Sequence, residues 1–368
     1  MFMKKSLGIY IHIPFCKSKC PYCNFYSLPY DKNLVTNYII KLNKEIEKWR
    51  QKLGSKVDTI YFGGGTPSVL TTEEMLKILF CIKENFKLAS PEITVEVNPG
   101  DHQFIDFEKF SYYGVNRISL GAQSLCDAGL KILGRRHSVK DIEGSVKIIK
   151  YAGINNISLD LILGIPEQKI NDIYDFIYFC HQNDIPHISS YLLKIEKNTP
   201  YYFNKDNLAF WDDDKLADFY LYTSDNMKKF GYSHYEISNF AKKGFESRHN
   251  LKYWNLDDYL GLGPSAHSLI FGKRFYYEND LNKFINSGNV ISEGLFEPEK
   301  ELVMLLLRTK EGLTNKKFKN KFGKNIPKHY FERAKKFEKY GYLNCRGDAI
   351  TLTQKGFLVS NSIISEIL

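Results

Sequence analysis

The stretch Leu7-Gly-Ile-Tyr10-Ile-His12-Ile-Pro-Phe15-Cys16-Lys-Ser-Lys-Cys20-Pro-Tyr22-Cys23 runs an apolar, β-branched segment straight into three cysteines spaced CxxxCxxC. Such a segment reads as a strand buried on both faces, with the thiols on the loop that leaves its carboxyl end. Five more runs of this kind follow, Val57 to Phe62, Glu92 to Val97, Val115 to Leu120, Ile157 to Leu163 and His187 to Leu193. Between the first of them, Leu34, Tyr38, Leu42, Ile46, Trp49 and Leu53 keep helical spacing, as do Met75, Leu79, Ile82 and Phe86. Strand and helix alternating from residue 7 to about 195 predict an α/β fold with a mainly parallel sheet, a partial (βα)6 barrel of TIM type.

In such a barrel the working loops leave the carboxyl ends of the strands. Here those ends carry Cys16, then Gly63-Gly64-Gly65-Thr66-Pro67, Asn98-Pro99-Gly100, Gly121-Ala-Gln123-Ser124 and Gly164-Ile-Pro166. Each alone makes an ordinary turn. Their coincidence on one rim marks a site.

Past residue 200 the alternation gives way to aromatic, acidic and then basic stretches, with a helix expected from Asp212 to Phe230. A helix from Pro298 to Arg308, a lysine-rich stretch and the segment Ala349-Ile-Thr-Leu-Thr353 suggest a small C-terminal helical, winged-helix-like domain. We therefore divide the chain into a barrel at 1–200, a barrel-completing segment at 201–295 that carries a ligand site, and a helical domain at 296–368.

The 368 residues, 43% hydrophobic, are enough to bury a large core without disulfides. A formal charge of +9 favours an anionic partner without choosing among nucleic acid, acidic lipid and a polycarboxylate ligand. No segment reaches the roughly 18 apolar residues of a membrane span. Residues Met1 to Leu7 hold too short an apolar run for a signal peptide, so a cytoplasmic protein is expected. Seven cysteines, three of them within eight residues, make poor disulfide geometry and a good metal loop. Cys81, Cys126, Cys180 and Cys345 are scattered and expected to be buried as small apolar residues.

Three thiolates on one tight loop can each ligate one iron of a [4Fe–4S] cluster, leaving the fourth iron open. A structural zinc site wants a fourth ligand, which only His12 could supply nearby. On these residues the sequence resembles the radical S-adenosylmethionine superfamily, in which the open iron chelates the amino and carboxylate groups of the cofactor. The resemblance implies a cluster on Cys16, Cys20 and Cys23 and S-adenosylmethionine beside it. The Gly63–Pro67 loop fits a contact with the methionine part, because glycines let a backbone approach a ligand closely.

The match extends to Tyr10-Ile-His-Ile-Pro-Phe-Cys16, Glu96-Val-Asn-Pro-Gly100, Gly121-Ala-Gln-Ser124, Leu133-Gly-Arg-Arg-His137 and Asp160-Leu-Ile-Leu-Gly-Ile-Pro166. Together they resemble the oxygen-independent coproporphyrinogen III dehydrogenase group over nearly the whole chain. Carried across by position, the likeness implies a cofactor pocket lined by Tyr10, Tyr22, Gly64, Gly65, Thr66, Glu96, Gln123, Arg135 and Asp160. Carboxylates suit ribose hydroxyls or an amino group, and Arg135 suits a carboxylate.

Two departures matter. Those dehydrogenases place a further cysteine two residues after the third, where this chain has Phe25. The segment Arg248-His249-Asn250-Leu-Lys-Tyr253-Trp254 contains an HNxxYW pattern. Both features resemble the heme chaperones of the HemW type, and imply heme as a ligand with His249, Asn250, Tyr253 and Trp254 around it. Imidazole is a common axial ligand of heme iron, and aromatic rings pack on the macrocycle. Read without the family, these would be core aromatics and a hydrogen-bonded histidine. His12, His137 and His267 stay undecided, with a turn histidine the plainer account of His267.

The leading expectation is therefore a heme chaperone that delivers heme to acceptor proteins, at a membrane surface if the positive charge serves that purpose. Its first alternative is oxidative decarboxylation of coproporphyrinogen III. A nucleic-acid-modifying enzyme ranks last: Lys316-Lys-Phe-Lys-Asn-Lys-Phe322 is more often the solvated face of a helix than a binding patch.

Overall fold

The computed structural model describes residues 6–205 and 208–368, so Met1 to Lys5 of the opening segment lie outside it. Six strands form its centre: β1 (Leu7–Ile13), β2 (Val57–Gly64), β3 (Leu88–Val97), β4 (Arg117–Gln123), β5 (Asn156–Leu163) and β6 (His187–Leu192). They lie side by side in chain order, each parallel to the next.

The two-residue period of a strand sends Ile9, Ile11, Ile60, Phe62, Ile93, Val95, Ile118 and Leu159 outward, where all are buried. Helices cover that face. Lys32–Lys52 begins at Asp31, whose carboxylate accepts from the Leu34 amide, and buries Val35, Tyr38, Leu42, Ile46 and Trp49. Thr72–Asn85 is closed by a capping box between Thr71 and Glu74. Truncating one of these core residues to alanine costs about 2–5 kcal/mol.

The same period turns a polar set inward: Tyr10 and His12, Thr59 and Tyr61, Glu92 and Glu96, Arg117 and Ser119, Ser158 and Asp160, His187 and Ser189. Contacts between neighbouring strands tie this set together, among them Tyr61 to Glu96, Ser119 to Asp160 and Ser158 to His187. The interior of the partial barrel is thus built to hold something polar.

Later strands extend both edges into one twelve-stranded sheet. Asn239–Ala241 and Ser233–Glu236 add antiparallel beyond β6. Tyr259–Leu262 adds parallel to β1, followed antiparallel by His267–Ile270, Lys273–Tyr277 and Val290–Ser292. The C-terminal residues form helices Pro298–Leu306, Asn315–Phe322, Lys328–Glu338, Gln354–Leu358 and Ser360–Ile367 around a three-stranded sheet. Their core, including Leu306, Phe318, Ile350 and Ile364, is continuous with Tyr220, Leu256, Tyr259 and Leu269.

Some particulars differ from the sequence reading. Strand β4 does not stop at Leu120 but continues through Gly121 to Gln123, with a register shift against β5 and Gln123 at φ 70°. The Gly121 carbonyl there accepts from Arg135, which replaces strand pairing with a side-chain bond. Cys81 and Cys180 are buried, whereas Cys126 and Cys345 are only partly so. Cys345 lies in the strand Leu343–Arg346 at the edge of the three-stranded sheet, and Cys126 caps a surface helix. Among the described residues no helix is long and apolar enough to cross a membrane.

Candidate functional site: a cysteine loop, a polar barrel mouth and an aromatic cavity

The cysteine loop leaves β1 through a two-residue strand, Phe15–Cys16. It is pinned by the glycine loop after β2, where the Gly65 amide donates to the Ile13 carbonyl and the Thr66 amide to the Phe15 carbonyl. Gly65 is required by contact: a Cβ there would sit 2.7 Å from the Phe15 carbonyl oxygen. Beyond Cys16 the loop turns through a Cys23 amide to Cys20 carbonyl bond. Gly134, at φ 65°, lies against Pro21 so closely that a Cβ would come within 2.7 Å of the proline ring.

One hydrogen-bonded chain links the thiols to the rim. Cys16 Sγ stands 3.3 Å from Thr66 Oγ1, and the Asn98 amide donates to that hydroxyl at 3.4 Å. Asn98 Oδ1 accepts from Arg135 Nη2 at 2.7 Å. Arg135 Nη1 reaches Cys20 Sγ at 3.4 Å and the Tyr22 hydroxyl at 3.5 Å. Burial, reinforced by the neighbouring Cys20 and Cys16, raises the Cys23 thiol. Lys17 bonds Asp101 at 2.7 Å, a second tether for the loop. A cavity of about 230 Å3 opens against Cys20 and Thr66 and extends along Asn98, Asp101, Arg135 and His137.

Inside the barrel mouth, burial pushes the Glu96 carboxyl up to about 7, although Tyr61 donates to it at 2.8 Å. Burial likewise raises Asp160 to about 6 against its bond to Ser189 and the nearby Arg117. Two carboxyls share one buried arginine, Arg117, whose Nε has no hydrogen-bond partner among the described residues, as is also true of Thr94 Oγ1. Such a chamber suits a ligand that carries positive charge and hydroxyls.

His249 lies elsewhere. Its helix, Arg248–Trp254, is capped by Ser247, and the Arg248 and His249 amides both donate to the Glu92 carboxylate from below the mouth. The His249 ring is 1% exposed and stacks on Tyr61 at 5.2 Å. Both nitrogens are engaged, Nδ1 with Thr59 at 2.8 Å and Nε2 with Tyr253 at 2.8 Å. Burial lowers this imidazole to about 3, so it is neutral. Tyr253 carries the segment onward to a second cavity of about 530 Å3, lined by Tyr10, His12, Asn24, Phe25, Tyr26, Tyr253, Tyr259, Ser265, His267 and Asn279. Phe25 is 65% exposed at its edge. Asn250 and Trp254 are half-buried and line neither cavity. The loop carrying the cysteines and the helix carrying HNxxYW thus meet across one aromatic space.

The radical SAM superfamily model matches residues 10–180, and that of the HemN C-terminal domain matches 297–359. Over 376 aligned residues the chain is 34% identical to the heme chaperone HemW of Lactococcus lactis, covering 100% of this chain and 98% of that one. The chain belongs to the HemW family. The heme chaperone HemW of Bacillus subtilis is 33% identical, with 98% of each chain covered. Among solved structures, coproporphyrinogen III oxidase (HemN) of Escherichia coli superposes with a TM-score of 0.82 over 99% of this chain and 90% of that one. At 19% identity that likeness establishes the fold.

Membership of the radical SAM superfamily implies a [4Fe–4S] cluster and S-adenosylmethionine, and the residues of this HemW-family chain fit both. Three thiols share one clamped loop, with a guanidinium at hand to balance their charge. Among the described residues no three His, Cys, Asp or Glu side chains converge on a single ion; thiols that serve different irons have no need to.

Several residues of this arrangement escaped the sequence reading. Asn98 was quoted only as part of a turn, yet it joins Thr66 to Arg135. Arg117 is a buried charge between Glu96 and Asp160, and its signal was a lone cation opening an otherwise apolar run. Tyr61, alternating with apolar neighbours on β2, has the same kind of signal.

Proposed function

We propose that this chain is a heme chaperone that takes heme into the aromatic cavity beside its cysteine loop and passes it to acceptor proteins. One observation carries the reading: Phe25, at the position where the dehydrogenases have a cysteine, presents its exposed ring on the same cavity as Tyr253 of the HNxxYW segment. A thiol there would serve metal or redox chemistry, while an aromatic ring offers a flat apolar surface to a macrocycle.

In this reading Cys16, Cys20 and Cys23 hold the cluster, and Tyr10, Tyr22, Gly64, Gly65, Thr66, Glu96, Gln123, Arg135 and Asp160 line the S-adenosylmethionine pocket. When bound, the pair supplies one-electron chemistry. The protein's part is to hold the thiols apart, neutralise them through Arg135 and keep the Glu96 and Asp160 carboxyls ready for a cationic ligand. Of the HNxxYW segment, Tyr253 forms part of the heme wall, His249 fixes its hydroxyl by their 2.8 Å bond, and Asn250 and Trp254 support that helix without facing the cavity. The net charge of +9 draws in the propionates and an acidic membrane surface where acceptors reside.

The test is hemin titration of the anaerobically reconstituted full chain, with co-elution on gel filtration and transfer to an apo-globin. Saturable binding, weakened in Phe25→Ala and Tyr253→Ala, supports the reading. Binding that does not saturate, or that ignores both substitutions, contradicts it.

A further inference from the structure

His12 and His267 line the aromatic cavity and His249 lies behind its Tyr253, and the three differ in one chemical respect. His249 uses both ring nitrogens, on Thr59 and Tyr253. His12 also uses both, Nδ1 with the Tyr10 hydroxyl at 3.1 Å and Nε2 with the Tyr26 carbonyl at 3.1 Å. His267 engages Nδ1 alone, with the Glu293 carboxylate. Its Nε2 has no hydrogen-bond partner among the described residues, and its side chain is 52% exposed.

We infer that His267, oriented by Glu293, is the residue that ligates the heme iron in the aromatic cavity. An iron-binding imidazole needs one free nitrogen lone pair, and it characteristically donates its other N–H to a carboxylate, which fixes the tautomer and raises its basicity. His267 and Glu293 have that arrangement without any metal to impose it.

The local fold holds the ring in place. The loop from Gly261 to His267 doubles back so tightly that a Cβ on Gly261 would overlap the His267 carbonyl. Gly263, at φ 109°, makes the turn and lies against the His12 carbonyl. The imidazole then stacks on Tyr276, with centroids 5.1 Å apart and planes 19° apart. Glu293 follows the edge strand Val290–Ser292, and its amide is bonded to the Arg274 carbonyl. The carboxylate follows the edge strand and the imidazole opens the third strand in, and His267 lines the same cavity as Phe25. A cavity of about 530 Å3 is within the usual range for a cofactor-sized ligand.

This inference rests on the heme-carrying reading, and the experiment separates the two. Hemin is titrated into the reconstituted full chain and into His267→Ala, Glu293→Gln and His249→Ala, with Soret, EPR and resonance Raman spectra and a thermal melt of each. His267→Ala is expected to lose the histidine-ligated spectrum and to weaken binding roughly tenfold or more, with an unchanged melt because the ring is exposed. In His267→Gly, added imidazole restores the ligated spectrum of heme that co-elutes with the protein. Glu293→Gln keeps heme bound but shifts the iron–histidine stretch, a change that loss of packing alone does not produce. His249→Ala weakens binding by releasing the Tyr253 hydroxyl but keeps the histidine-ligated spectrum. If His267→Ala binds with an unchanged spectrum, the inference is overturned while the chaperone reading stands. If the wild-type chain shows no saturable binding, the chaperone reading itself has failed.

Discussion

Arg135 stands 3.4 Å from the Cys20 sulfur and carries the same guanidinium to Asn98 at 2.7 Å, so a single side chain couples the cysteine loop to the rim of the barrel. Lost partners of metal ligands typically lower metal affinity about 10- to 100-fold. Arg135→Ala should therefore lose iron faster than wild type when reconstituted protein is challenged with a chelator. Iron and sulfide analysis over time measures it, and equal retention would show that Arg135 does not support the loop.

Gly65→Ala should be more damaging than its one added methyl group suggests. The new Cβ would meet the Phe15 carbonyl oxygen at 2.7 Å and the Ile13 carbonyl oxygen at 3.0 Å, both backbone atoms that cannot rotate away. Overpacking of this kind costs about 1–3 kcal/mol. We expect a lower melting temperature and poor cluster incorporation. Gly294→Ala is the converse case, a positive φ of 78° with nothing among the described residues within 4 Å of its Cβ. Gly65 has the clash without a positive φ, so the pair separates crowding from backbone strain.

Glu96 gives the apo protein a defined pH signature. Its carboxyl is raised from 4.5 to about 7 in the folded chain, chiefly by burial. Between those values the folded state holds a proton that the unfolded state releases, so this group's contribution to stability falls as pH rises through the window. Glu96→Gln cannot titrate. Its melting temperature relative to wild type should climb from pH 4.5 to 7 and then level off. A difference that is flat with pH would place the Glu96 pKa near its ordinary value.

His249→Ala should destabilise the chain by about 2–4 kcal/mol, because it opens space beneath Tyr61 and leaves Thr59 and Tyr253 without their buried partner. Denaturant unfolding of the apo protein measures this. Because the wild-type imidazole is held neutral, with burial lowering it to about 3, its contribution is lost as pH falls from about 6.5 toward 3. The gap between the two proteins should therefore narrow at pH 5.

The barrel was legible because each strand is buried on its outer face and each helix follows a helical period, both of which are local patterns. Glu96 was also legible, as a polar residue interrupting an apolar run, whereas Tyr61 and Arg117 interrupt theirs in the same way and went unread. What lay beyond reading was set by contacts distant in sequence. The family pattern placed His249 at a heme and its residues alone suggested a hydrogen-bonded histidine, but its partners Thr59 and Glu92, 190 and 157 residues away, could not be read. His267 looked like a turn histidine, and only the pairing of its strand with Lys273–Tyr277, and of that strand with Val290–Ser292, brings Glu293 beside it. Strand Tyr259–Leu262 went unread because its four residues acquire meaning only beside β1.

The central claim, that this radical enzyme frame handles heme as cargo, is tested most directly by one parallel assay. A single anaerobically reconstituted sample with S-adenosylmethionine is divided, one part receiving hemin and then an apo-globin, the other coproporphyrinogen III and dithionite. The account predicts stoichiometric hemin binding and transfer to the globin, with no decarboxylated porphyrinogen. Stoichiometric formation of protoporphyrinogen IX without hemin transfer would contradict it.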